Sequence, residues 1–200
     1  MSQPAVSTRR ERRREARRQD ILEKAAELFA EVGYEATTLE AVADRVDLAQ
    51  ASLYHYVRNK EDLLAQVLLD LIARIETALD EAHVEDDPLR RLQTLCRLQV
   101  RTICTDPAGS LLARHGNIRE RAEELAHTGG RYRKLIESIV SDGIAAGVFR
   151  PVDVEVFAWT LMLALNATTW WTPQHPRTPD EVADEILSYF IDGAVNPSAR

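Results

Sequence analysis

The segment over residues 49–56 carries small and polar side chains and no acidic one. The amide of Gln50 can form two hydrogen bonds with adenine, and the methyl groups of Ala49 and Ala51 can meet the methyl group of thymine. Leu53 and Tyr56 have the spacing of inward-facing residues in a short helix. The outer face then carries Gln50, Ala51, Ser52, Tyr54 and His55. Such a face suits contact with bases and phosphates.

A second candidate for phosphate contact is an arginine cluster at the start of the chain. Residues 1–20 hold seven arginines against three acidic side chains. The arginines are Arg9, Arg10, Arg12, Arg13, Arg14, Arg17 and Arg18. Such a cluster can neutralise phosphates, with Arg13, Arg14 and Arg17 as the candidate contacts. Alternatively it is a solvated, disordered arm that keeps the chain soluble. We expect residues 1–16 to form a basic flexible arm.

The net charge alone argues against a nucleic-acid partner, but the charge is unevenly distributed. The chain has 25 Lys and Arg against 32 Asp and Glu, a net charge of −7. Residues 1–60 carry 11 basic against 10 acidic side chains, or +1, whereas residues 61–200 carry 14 against 22, or −8. The two parts of the chain therefore suit different environments.

The composition is that of a globular protein with a core, at 45% hydrophobic and 28% charged residues. The longest strongly apolar stretch, residues 156–165, is shorter than the roughly 20 residues of a membrane span. No apolar segment follows the basic amino terminus, as it would in a secretory signal. We therefore expect a cytoplasmic protein that does not enter a membrane. Cys96 and Cys104 would lie about 12 Å apart on a helix, too far for a disulfide, and are expected to be core thiols.

The first hundred residues contain few helix breakers, since no proline occurs in residues 5–87. Apolar residues recur at helical spacing from residue 21 onward, and Gly33 is expected to end this helix in a left-handed conformation. Thr37 and Glu40 have the spacing of a capping box for a short second helix. A third short helix follows almost at once, and Asn59 can cap a long fourth helix.

Later helix starts share one chemistry, because a capping side chain precedes a proline at each of them. These starts are Asp87-Pro88, Asp106-Pro107 and Thr178-Pro179. The predicted later helices cover residues 88–104, 107–115, 119–146, 153–171 and 179–193. The sequence therefore predicts an all-α fold of about nine helices, with a small domain over residues 17–62 and a larger helical bundle over residues 63–200.

Two short helices that are joined by a tight turn and braced by a longer helix indicate a helix-turn-helix, whose second helix can enter the major groove of DNA. The pattern alone also fits helical hairpins that bind no nucleic acid. The acid-free outer face of the second short helix favours DNA, because acidic side chains would repel phosphates.

Three stretches of the chain resemble the DNA-binding domain of TetR-family transcriptional regulators. They are Gly33-Tyr34-Glu35-Ala36-Thr37-Thr38-Leu39, Val42-Ala43 and Ser52-Leu53-Tyr54-His55-Tyr56-Val57-Arg58-Asn59-Lys60-Glu61-Asp62-Leu63-Leu64. The resemblance covers residues 17–64. It implies a homodimer that binds a palindromic double-stranded DNA operator, usually as a repressor, and leaves it when a small molecule enters the carboxy-terminal domain. No cofactor or metal is expected.

The resemblance also assigns contacts to individual residues. It implies that Thr38 holds a phosphate at the start of the second helix, although its hydroxyl can instead serve only as a helix cap. Tyr54 and His55 resemble a phosphate-contacting pair at the end of the recognition helix. Lys60 matches a further phosphate anchor at the start of the fourth helix.

The chain departs from the family in the turn of the helix-turn-helix. Asp47, Ala49 and Ala51 stand where the family commonly has Gly, Ser and Gly. Asp tolerates the left-handed conformation, so the turn is still expected to form. The absent serine removes one cap and one phosphate contact at the start of the recognition helix, and the operator sequence does not follow from these residues.

The last two long helices carry more apolar side chains than one buried face requires. In TetR-like proteins the corresponding helices pair across the homodimer. The resemblance therefore implies a dimer interface formed by Phe157, Leu161, Leu165, Val182, Ile186, Tyr189 and Phe190. Two-fold symmetry would match a palindromic operator with half-sites about one helical turn apart, or multiples of that.

A small-molecule site is expected in the larger domain. One helix face combines large apolar groups with a single amide, which suits an apolar ligand with a polar handle. Its members are Trp159, Met162, Asn166 and Trp170. The same residues also fit simple core packing. Arg97, Arg101 and His115 are candidate contacts for a carboxylate or a phosphorylated acyl thioester, unless they are solvated or paired with acidic side chains.

Short stretches of the larger domain are similar to a TetR subgroup that controls fatty-acid and steroid catabolism. They are Gly143-Ile144, Gly147-Val148-Phe149-Arg150-Pro151 and the Trp170-Trp171 region ahead of Thr178-Pro179. This similarity implies an effector of the acyl-CoA type. A hydrophobic drug or an aromatic metabolite is the alternative effector.

Two other function classes fit the sequence less well than a DNA-binding regulator. An enzyme needs paired titratable groups or closely spaced metal ligands, and the nearest such set, Cys96, Cys104 and His115, has no close-spaced pair. We therefore expect no catalytic activity. The other class is a helical protein-interaction module without sequence-specific DNA binding. Salt dependence distinguishes this module from a DNA-binding regulator, because operator binding weakens steeply as ionic strength rises and apolar helix pairing does not.

Overall fold

The computed structural model describes residues 8–81, 86–115, 122–170 and 176–194. These residues form nine α-helices and one 3-10 helix and contain no β-strand, which confirms the predicted all-α fold. Among them, no helix is both long enough and apolar enough to cross a membrane. The chain divides into two compact units, Met1–Val67 and Leu68–Arg200, whereas the sequence suggested a boundary after residue 62.

The first unit contains the helix-turn-helix. Its helices are α1 (Arg9–Val32), α2 (Leu39–Arg45), α3 (Gln50–Leu53) and the beginning of α4 (Lys60–Glu81). Helix α2 contacts both α1 and α3. All four helices supply fully buried apolar side chains, which include Ile21, Phe29, Val42, Leu53 and Leu63. This shared core fixes which side of α3 remains exposed to solvent.

Helix α1 begins earlier than the sequence indicated. Oγ1 of Thr8 accepts a hydrogen bond from the amide of Glu11 at 3.2 Å, and Oε2 of Glu11 accepts one from the amide of Thr8 at 2.6 Å. This capping box satisfies free amides at the helix start, and Arg, Glu and Ala are strong helix formers. The described part of the expected flexible arm, residues 9–16, is therefore helical and exposed. Residues 1–7 lie outside the described residues.

The cap of α2 differs from the predicted capping box. Thr38, not Thr37, is the N-cap, and its Oγ1 accepts a hydrogen bond from the amide of Ala41 at 3.1 Å. The Thr37 side chain is buried, and its hydroxyl donates to the carbonyl of Gly33 at 2.8 Å. The predicted pairing of Thr37 with Glu40 is wrong, because the buried hydroxyl is used to close the preceding turn and the helix begins one residue later.

Two turns of the first unit adopt backbone conformations with positive φ, as the sequence indicated. Gly33 ends α1 at φ 88° and ψ 150°, and its amide donates to the carbonyl of Phe29 at 3.0 Å. The sign of φ is as expected, but ψ is extended and not left-handed helical. Asp47 adopts φ 51° between α2 and α3. The prediction that Asp replaces glycine in the left-handed region is therefore confirmed.

The second unit is a helical bundle in which α5 is central. It contains the rest of α4, α5 (Pro88–Thr105), α6 (Gly109–His115), α7 (Ala122–Ala145), α8 (Val154–Asn166), the 3-10 helix η1 (Ala167–Trp170) and α9 (Pro179–Ala194). Helix α5 contacts α6, α7, α8, η1 and α9. Its buried face carries Leu92, Leu95, Cys96, Gln99, Val100 and Ile103. A polar residue, Gln99, therefore lies on an otherwise apolar and thiol-bearing face.

The predicted helix starts of the second unit are largely confirmed. Asp87 accepts a hydrogen bond from the amide of Leu89 at 3.0 Å, and Thr178 accepts one from the amide of Glu181 at 3.3 Å. The largest differences from the predicted bounds are that α6 begins two residues later than expected, at Gly109, and that α8 gives way to η1 after Asn166, while other described bounds differ by one residue. Residues 116–121 and 171–175, which include the expected start of α7, lie outside the described residues.

The turn between α7 and α8 explains a glycine-rich stretch of the sequence. Gly147 has φ 72°, a conformation that glycine adopts at low cost. The ring of Phe149, 4% exposed, lies only 2.1 Å from the place that a Cβ at Gly143 would take. A side chain at position 143 would therefore displace the Phe149 ring and disturb this end of the bundle.

Candidate nucleic-acid interface

The exposed side of α3 carries the residues that the sequence placed there. Gln50, Ala51, Tyr54 and His55 are exposed, and Ser52 is half-buried. Leu53 is 1% exposed and anchors the helix on the core, while half of the Tyr54 side chain is exposed. No acidic residue occurs between positions 48 and 57, so the exposed side of this segment lacks negative charge.

The two ends of α3 are held by the backbone. Ala49 is the N-cap, with φ −62° and ψ 140°, and makes no side-chain cap hydrogen bond. The cap that a serine would supply is therefore absent, as the sequence indicated. After Leu53 the chain continues in hydrogen-bonded turns, in which the amide of Tyr56 donates to the carbonyl of Leu53 at 2.9 Å. Tyr54 and His55 lie in these turns.

Lys60 contacts the loop between α1 and α2. Its Nζ donates to the carbonyl of Tyr34 at 3.0 Å and to the carbonyl of Glu35 at 3.1 Å. The same ammonium group lies 4.5 Å from the centroid of the Tyr34 ring, a distance at which cation and ring attract each other. Lys60 therefore holds this loop against the start of α4. In this arrangement its donors face carbonyl groups and not open solvent.

A buried carboxylate that the sequence did not single out joins the turns after α3 to the start of α4. Asp62 is 1% exposed, and its amide donates to Oδ1 of Asn59 at 2.7 Å, which confirms Asn59 as the predicted cap. Oδ2 of Asp62 accepts hydrogen bonds from the amide of Arg58 at 2.9 Å and from Nε2 of Gln66 at 3.2 Å. Nε2 of Gln66 also donates to the carbonyl of Tyr56.

The arginines of α1 fall into two groups. Arg17 pairs with Asp20 at 2.9 Å, and Arg18 pairs with Glu15 at 2.7 Å. The hydrogen bond from Arg18 lowers the pKa of the Glu15 carboxyl, so this pair is charged at neutral pH. Arg13 and Arg14 are exposed. Of the three arginines expected to contact DNA, Arg17 is thus already paired with an acid.

The expected anion-binding arginines of the second unit are paired with acids of α9. Nε of Arg97 donates to Oδ1 of Asp184 at 2.7 Å, and Nε of Arg101 donates to Oδ1 of Asp180 at 3.1 Å. Each guanidinium makes a second hydrogen bond to the same carboxylate. These charges are compensated within the chain, so the structure does not support their role as ligand contacts. The sequence could not show this pairing because α5 and α9 lie about eighty residues apart.

The face of α8 proposed for the ligand is not a single interior surface. Trp159 is 45% exposed and lies under the guanidinium of Arg133, 5.3 Å from the ring centroid. Met162 is half-buried. Asn166 accepts a hydrogen bond through Oδ1 from Nε2 of Gln99 at 2.8 Å. Trp159 therefore lies on the outer surface, because the inward face of α8 is set by Ala158, Leu161 and Leu165.

The remaining two ligand candidates lie at the edge of the described residues. His115 is the last residue of α6 and is half-buried. Trp170 ends η1, and its side chain is outside the described part of the structure.

A buried polar network that the sequence analysis missed crosses the second unit. The hydroxyl of Tyr132 in α7 donates to Oε1 of Gln99 in α5, and Gln99 donates in turn to Asn166 in α8. Gln99 is 3% and Tyr132 is 5% exposed. Burial raises the pKa of the Tyr132 hydroxyl and that of the Cys96 thiol, so both groups stay protonated. The position of Gln99 on the apolar face of α5 was the sequence signal for this network.

Several residues expected in a dimer interface are core residues. Leu161, Leu165 and Val182 are at most 1% exposed within one protomer, so they belong to the core of their own bundle, and their assignment to a subunit contact stays a prediction. Phe157 and Phe190 pack edge to face, with ring centroids 5.5 Å apart, and stay half-buried, as does Ile186.

Large apolar side chains do project from the surface of α8 and α9. On α8 they form one stripe, with exposed fractions of 57% for Val156, 45% for Trp159 and 59% for Leu163. On α9, Tyr189 is 67% exposed, and its hydroxyl donates to Oε1 of Glu185 at 2.6 Å. We call Val156, Trp159, Leu163 and Tyr189 the apolar stripe. Large apolar side chains exposed on two packed helices are typical of a protein contact.

Comparison with known proteins gives matches over both units. The sequence model described as "Bacterial regulatory proteins, tetR family" matches residues 21–67, and that described as "Tetracyclin repressor-like, C-terminal domain" matches residues 85–194. The HTH-type transcriptional repressor KstR2 of Rhodococcus jostii (strain RHA1) is 30% identical over 190 residues, which cover 90% of this chain and 92% of that protein.

Solved structures give the same result for the fold. The ketosteroid transcriptional regulator KstR2 of Mycobacterium tuberculosis has a TM-score of 0.68 at 28% identity, over 90% of this chain and 95% of that chain. AibR in complex with isovaleryl coenzyme A and operator DNA has a TM-score of 0.74 at 24% identity, over 86% of this chain and 97% of that chain. At this identity, the likeness to AibR concerns the fold alone.

Proposed function

Because the chain belongs to the tetR family of bacterial regulatory proteins, we propose that it is a homodimeric repressor that binds a palindromic operator and leaves it when a small hydrophobic effector binds. The observation that carries this proposal is the exposed, acid-free side of α3 in a fully formed helix-turn-helix. The KstR2 relatives are described as repressors. The protein acts in the cytoplasm, where bacterial DNA lies, and catalyses no reaction.

Each exposed residue of α3 has a role that its chemistry supports. The Gln50 amide reads adenine through two hydrogen bonds, and the methyl groups of Ala49 and Ala51 meet thymine methyl groups. The hydroxyl groups of Ser52 and Tyr54 donate to phosphate oxygens, which position the helix without reading sequence. His55 does the same through a ring N–H. Thr38, which caps α2, offers its hydroxyl to a neighbouring phosphate.

Variants at Gln50 and Tyr54 separate base reading from backbone contact. Gln50→Ala should reduce discrimination at one base pair of each half-site by about 1–3 kcal/mol. Tyr54→Ala should weaken binding to all DNA by one common factor. The measurement is the dissociation constant on an operator duplex, on duplexes with single base-pair changes and on a scrambled duplex. Ser188→Ala on α9 is the control. Equal losses on every duplex for Gln50→Ala would remove Gln50 as a base reader.

Lys60 contributes to DNA binding through the loop that it holds. Its ammonium contacts two loop carbonyls and the Tyr34 ring, so it fixes the approach from α1 to α2 and leaves Thr38 in place for a phosphate. A lysine next to this loop also adds positive charge to the surface that faces DNA. Both effects act on the phosphate backbone and are independent of base sequence.

The homodimer forms through the apolar stripe of α8 and α9. Val156, Trp159, Leu163 and Tyr189 would be removed from water by a second copy of the same surface, and burial of large apolar side chains drives association. The half-buried side chains of Phe157, Ile186 and Phe190 lie on the same two helices and complete the contact. A two-fold axis in this contact matches the two-fold symmetry of a palindromic operator.

The effector is an acyl-CoA thioester or a related hydrophobic molecule with one carbonyl group. The network of Gln99, Tyr132 and Asn166 places polar groups inside an otherwise apolar bundle, and a ligand could exchange one of its internal hydrogen bonds for a bond to its own carbonyl group. A site of that composition suits an apolar ligand with a polar handle. AibR, which shares the fold, was solved with isovaleryl coenzyme A. The alternative is a hydrophobic drug or aromatic metabolite without coenzyme A.

A variant of Gln99 tests the effector site. Gln99→Leu removes both the donor and the acceptor at the centre of the network, so the acyl-CoA concentration for half-release of operator should rise about tenfold or more. Operator affinity without effector should stay unchanged. The measurement is release of operator by isovaleryl-CoA and octanoyl-CoA, with Gln93→Leu on the same helix as the control. Binding of these thioesters without operator release would refute them as inducers, and release by a coenzyme A-free steroid ketone alone would support the alternative.

A further inference from the structure

The first twelve residues of α1 extend beyond the part of the chain that matches the family and beyond the core. The family match starts at residue 21, which is also the first buried position of the helix. Residues 9–20 precede it in the same helix, and at about 1.5 Å per residue they span roughly 18 Å. The capping box of Thr8 and Glu11 fixes the free end. The extension is therefore a helix with its own start signal and little packing.

The charge of this extension is strongly positive. Residues 9–18 contain seven arginines and two glutamates, so their net charge is 7 − 2 = +5. Glu15 and Asp20 compensate Arg18 and Arg17. Within the described part of the chain, the structure gives no ion pair to the four arginines nearest the helix start, which are Arg9, Arg10, Arg12 and Arg13. These four are also exposed.

The helix places like charges next to each other. Arg9 and Arg13 lie four residues apart on one side, and Arg10 and Arg14 lie four residues apart on another. Neighbours at this spacing face each other on a helix, and like charges there are unfavourable. A phosphate that binds to such a row forms charge-assisted hydrogen bonds with the guanidinium groups. Its negative charge also offsets the repulsion between neighbouring arginines, so the row favours binding of an external anion.

We propose that residues 9–18 form a second DNA contact, the arginine helix, which binds phosphates outside the bases that α3 reads. The inference rests on the proposed function. A DNA backbone is favoured over another anionic surface because the arginine helix belongs to the same compact unit as α3. The helix is already formed without DNA, so its arginines bind without the entropy cost of ordering a flexible arm. The contact adds affinity and salt dependence but no sequence preference.

Two variants separate charge from helical shape. The charge variant carries Arg9→Gln, Arg10→Gln and Arg13→Gln. Its control carries Arg90→Gln, Arg114→Gln and Lys134→Gln, which remove the same charge from exposed positions of the second unit. The shape variant, Ala16→Pro, keeps every arginine but breaks the helix, and Ala16→Gln is its control. Circular dichroism checks that only Ala16→Pro loses helix.

The measurement is the dissociation constant of full-length dimer on an operator duplex with flanks and on a scrambled duplex of equal length, at several salt concentrations. Each phosphate contact contributes about 0.9 to the slope of log K against log salt. The charge variant removes six positive charges per dimer. The magnitude of its slope should therefore be smaller than that of the unmodified protein by roughly 2 to 5 on both duplexes. Ala16→Pro should weaken both duplexes by a common factor of about ten.

Specific outcomes would overturn the proposal. An unchanged slope for the charge variant would show that the arginines do not contact DNA. Wild-type binding by Ala16→Pro would show that a flexible arm serves equally well, so the helix would have no role. Failure of the proposed function looks different, because the unmodified protein would then not prefer its operator over the scrambled duplex.

Discussion

Leu163→Glu should convert the homodimer into monomers. The Leu163 side chain is 59% exposed in the single protomer and lies on the apolar stripe with Val156 and Trp159. In the dimer a glutamate there would lose its water without gaining a partner, which costs several kcal/mol for an ionised carboxylate. The dimer dissociation constant should rise by roughly a hundredfold or more. Because the fold of the protomer does not depend on this exposed position, the monomer should stay helical.

The same variant should also lose most of its operator affinity. A dimer holds its second recognition helix near the second half-site at a high effective concentration, and a monomer lacks this advantage. Analytical ultracentrifugation gives the oligomeric state, and a titration with operator duplex gives the affinity. Val32→Glu, at an exposed apolar position of 53% on α1, is the control and should stay dimeric. A dimeric Leu163→Glu protein would place the subunit contact elsewhere.

Asp62→Ala should destabilise the DNA-binding unit by about 2–4 kcal/mol. The Asp62 carboxylate is buried and accepts hydrogen bonds from the amide of Arg58 and from Nε2 of Gln66. Alanine leaves these donors without this acceptor, whereas the hydrogen bond from the backbone amide of residue 62 to Oδ1 of Asn59 is retained. This network joins the turns after α3 to α4. Operator affinity should therefore fall together with stability.

Two companions make the Asp62 prediction specific. Asp62→Asn keeps one acceptor oxygen in the same place, so it should lose less stability than Asp62→Ala. Asp44→Ala removes an exposed acid from α2 and should change stability by less than about 0.5 kcal/mol. Urea denaturation of the three proteins gives the free energy of unfolding. Equal stabilities for Asp62→Ala and Asp44→Ala would show that the buried network contributes little.

The local features of the first unit could be predicted because they depend on neighbouring residues. The positive φ of Asp47 follows from the turn that two short helices require, and the inward position of Leu53 follows from helical spacing. The error at the start of α2 has a local cause as well. Two adjacent threonines can both cap a helix, and only the structure shows that Thr37 uses its hydroxyl on the carbonyl of Gly33.

The partners of charged and polar groups in the second unit could not be predicted from the sequence. Arg97 and Arg101 meet Asp184 and Asp180 across two packed helices, and no sequence pattern links such distant positions. The same limit applies to the network of Gln99 with Tyr132 and Asn166. The position of Gln99 on the buried face of α5 indicates an interior hydrogen bond. Its partners, however, depend on how three helices pack.

Apolar helices posed a different problem. Helix α8 is apolar on nearly every side, so periodicity could not say which side faces the core. The structure buries Leu161 and Leu165 and exposes Val156 and Leu163, so the subunit contact that we propose uses the exposed pair. The start of α1 was missed because a run of arginines suggested a disordered arm, while the capping box of Thr8 and Glu11 supports a helix.

The central claim, that the acid-free side of α3 reads DNA bases, is tested most directly by the DNA that the protein selects. The protein would be mixed at moderate salt with fragments of the genome that encodes it, after bound small molecules have been removed by unfolding and refolding. The retained fragments would then be sequenced. The account predicts enrichment of one two-fold symmetric sequence, with Gln50→Ala altering the preferred base at one position of each half-site. Retention without any shared sequence would contradict the claim.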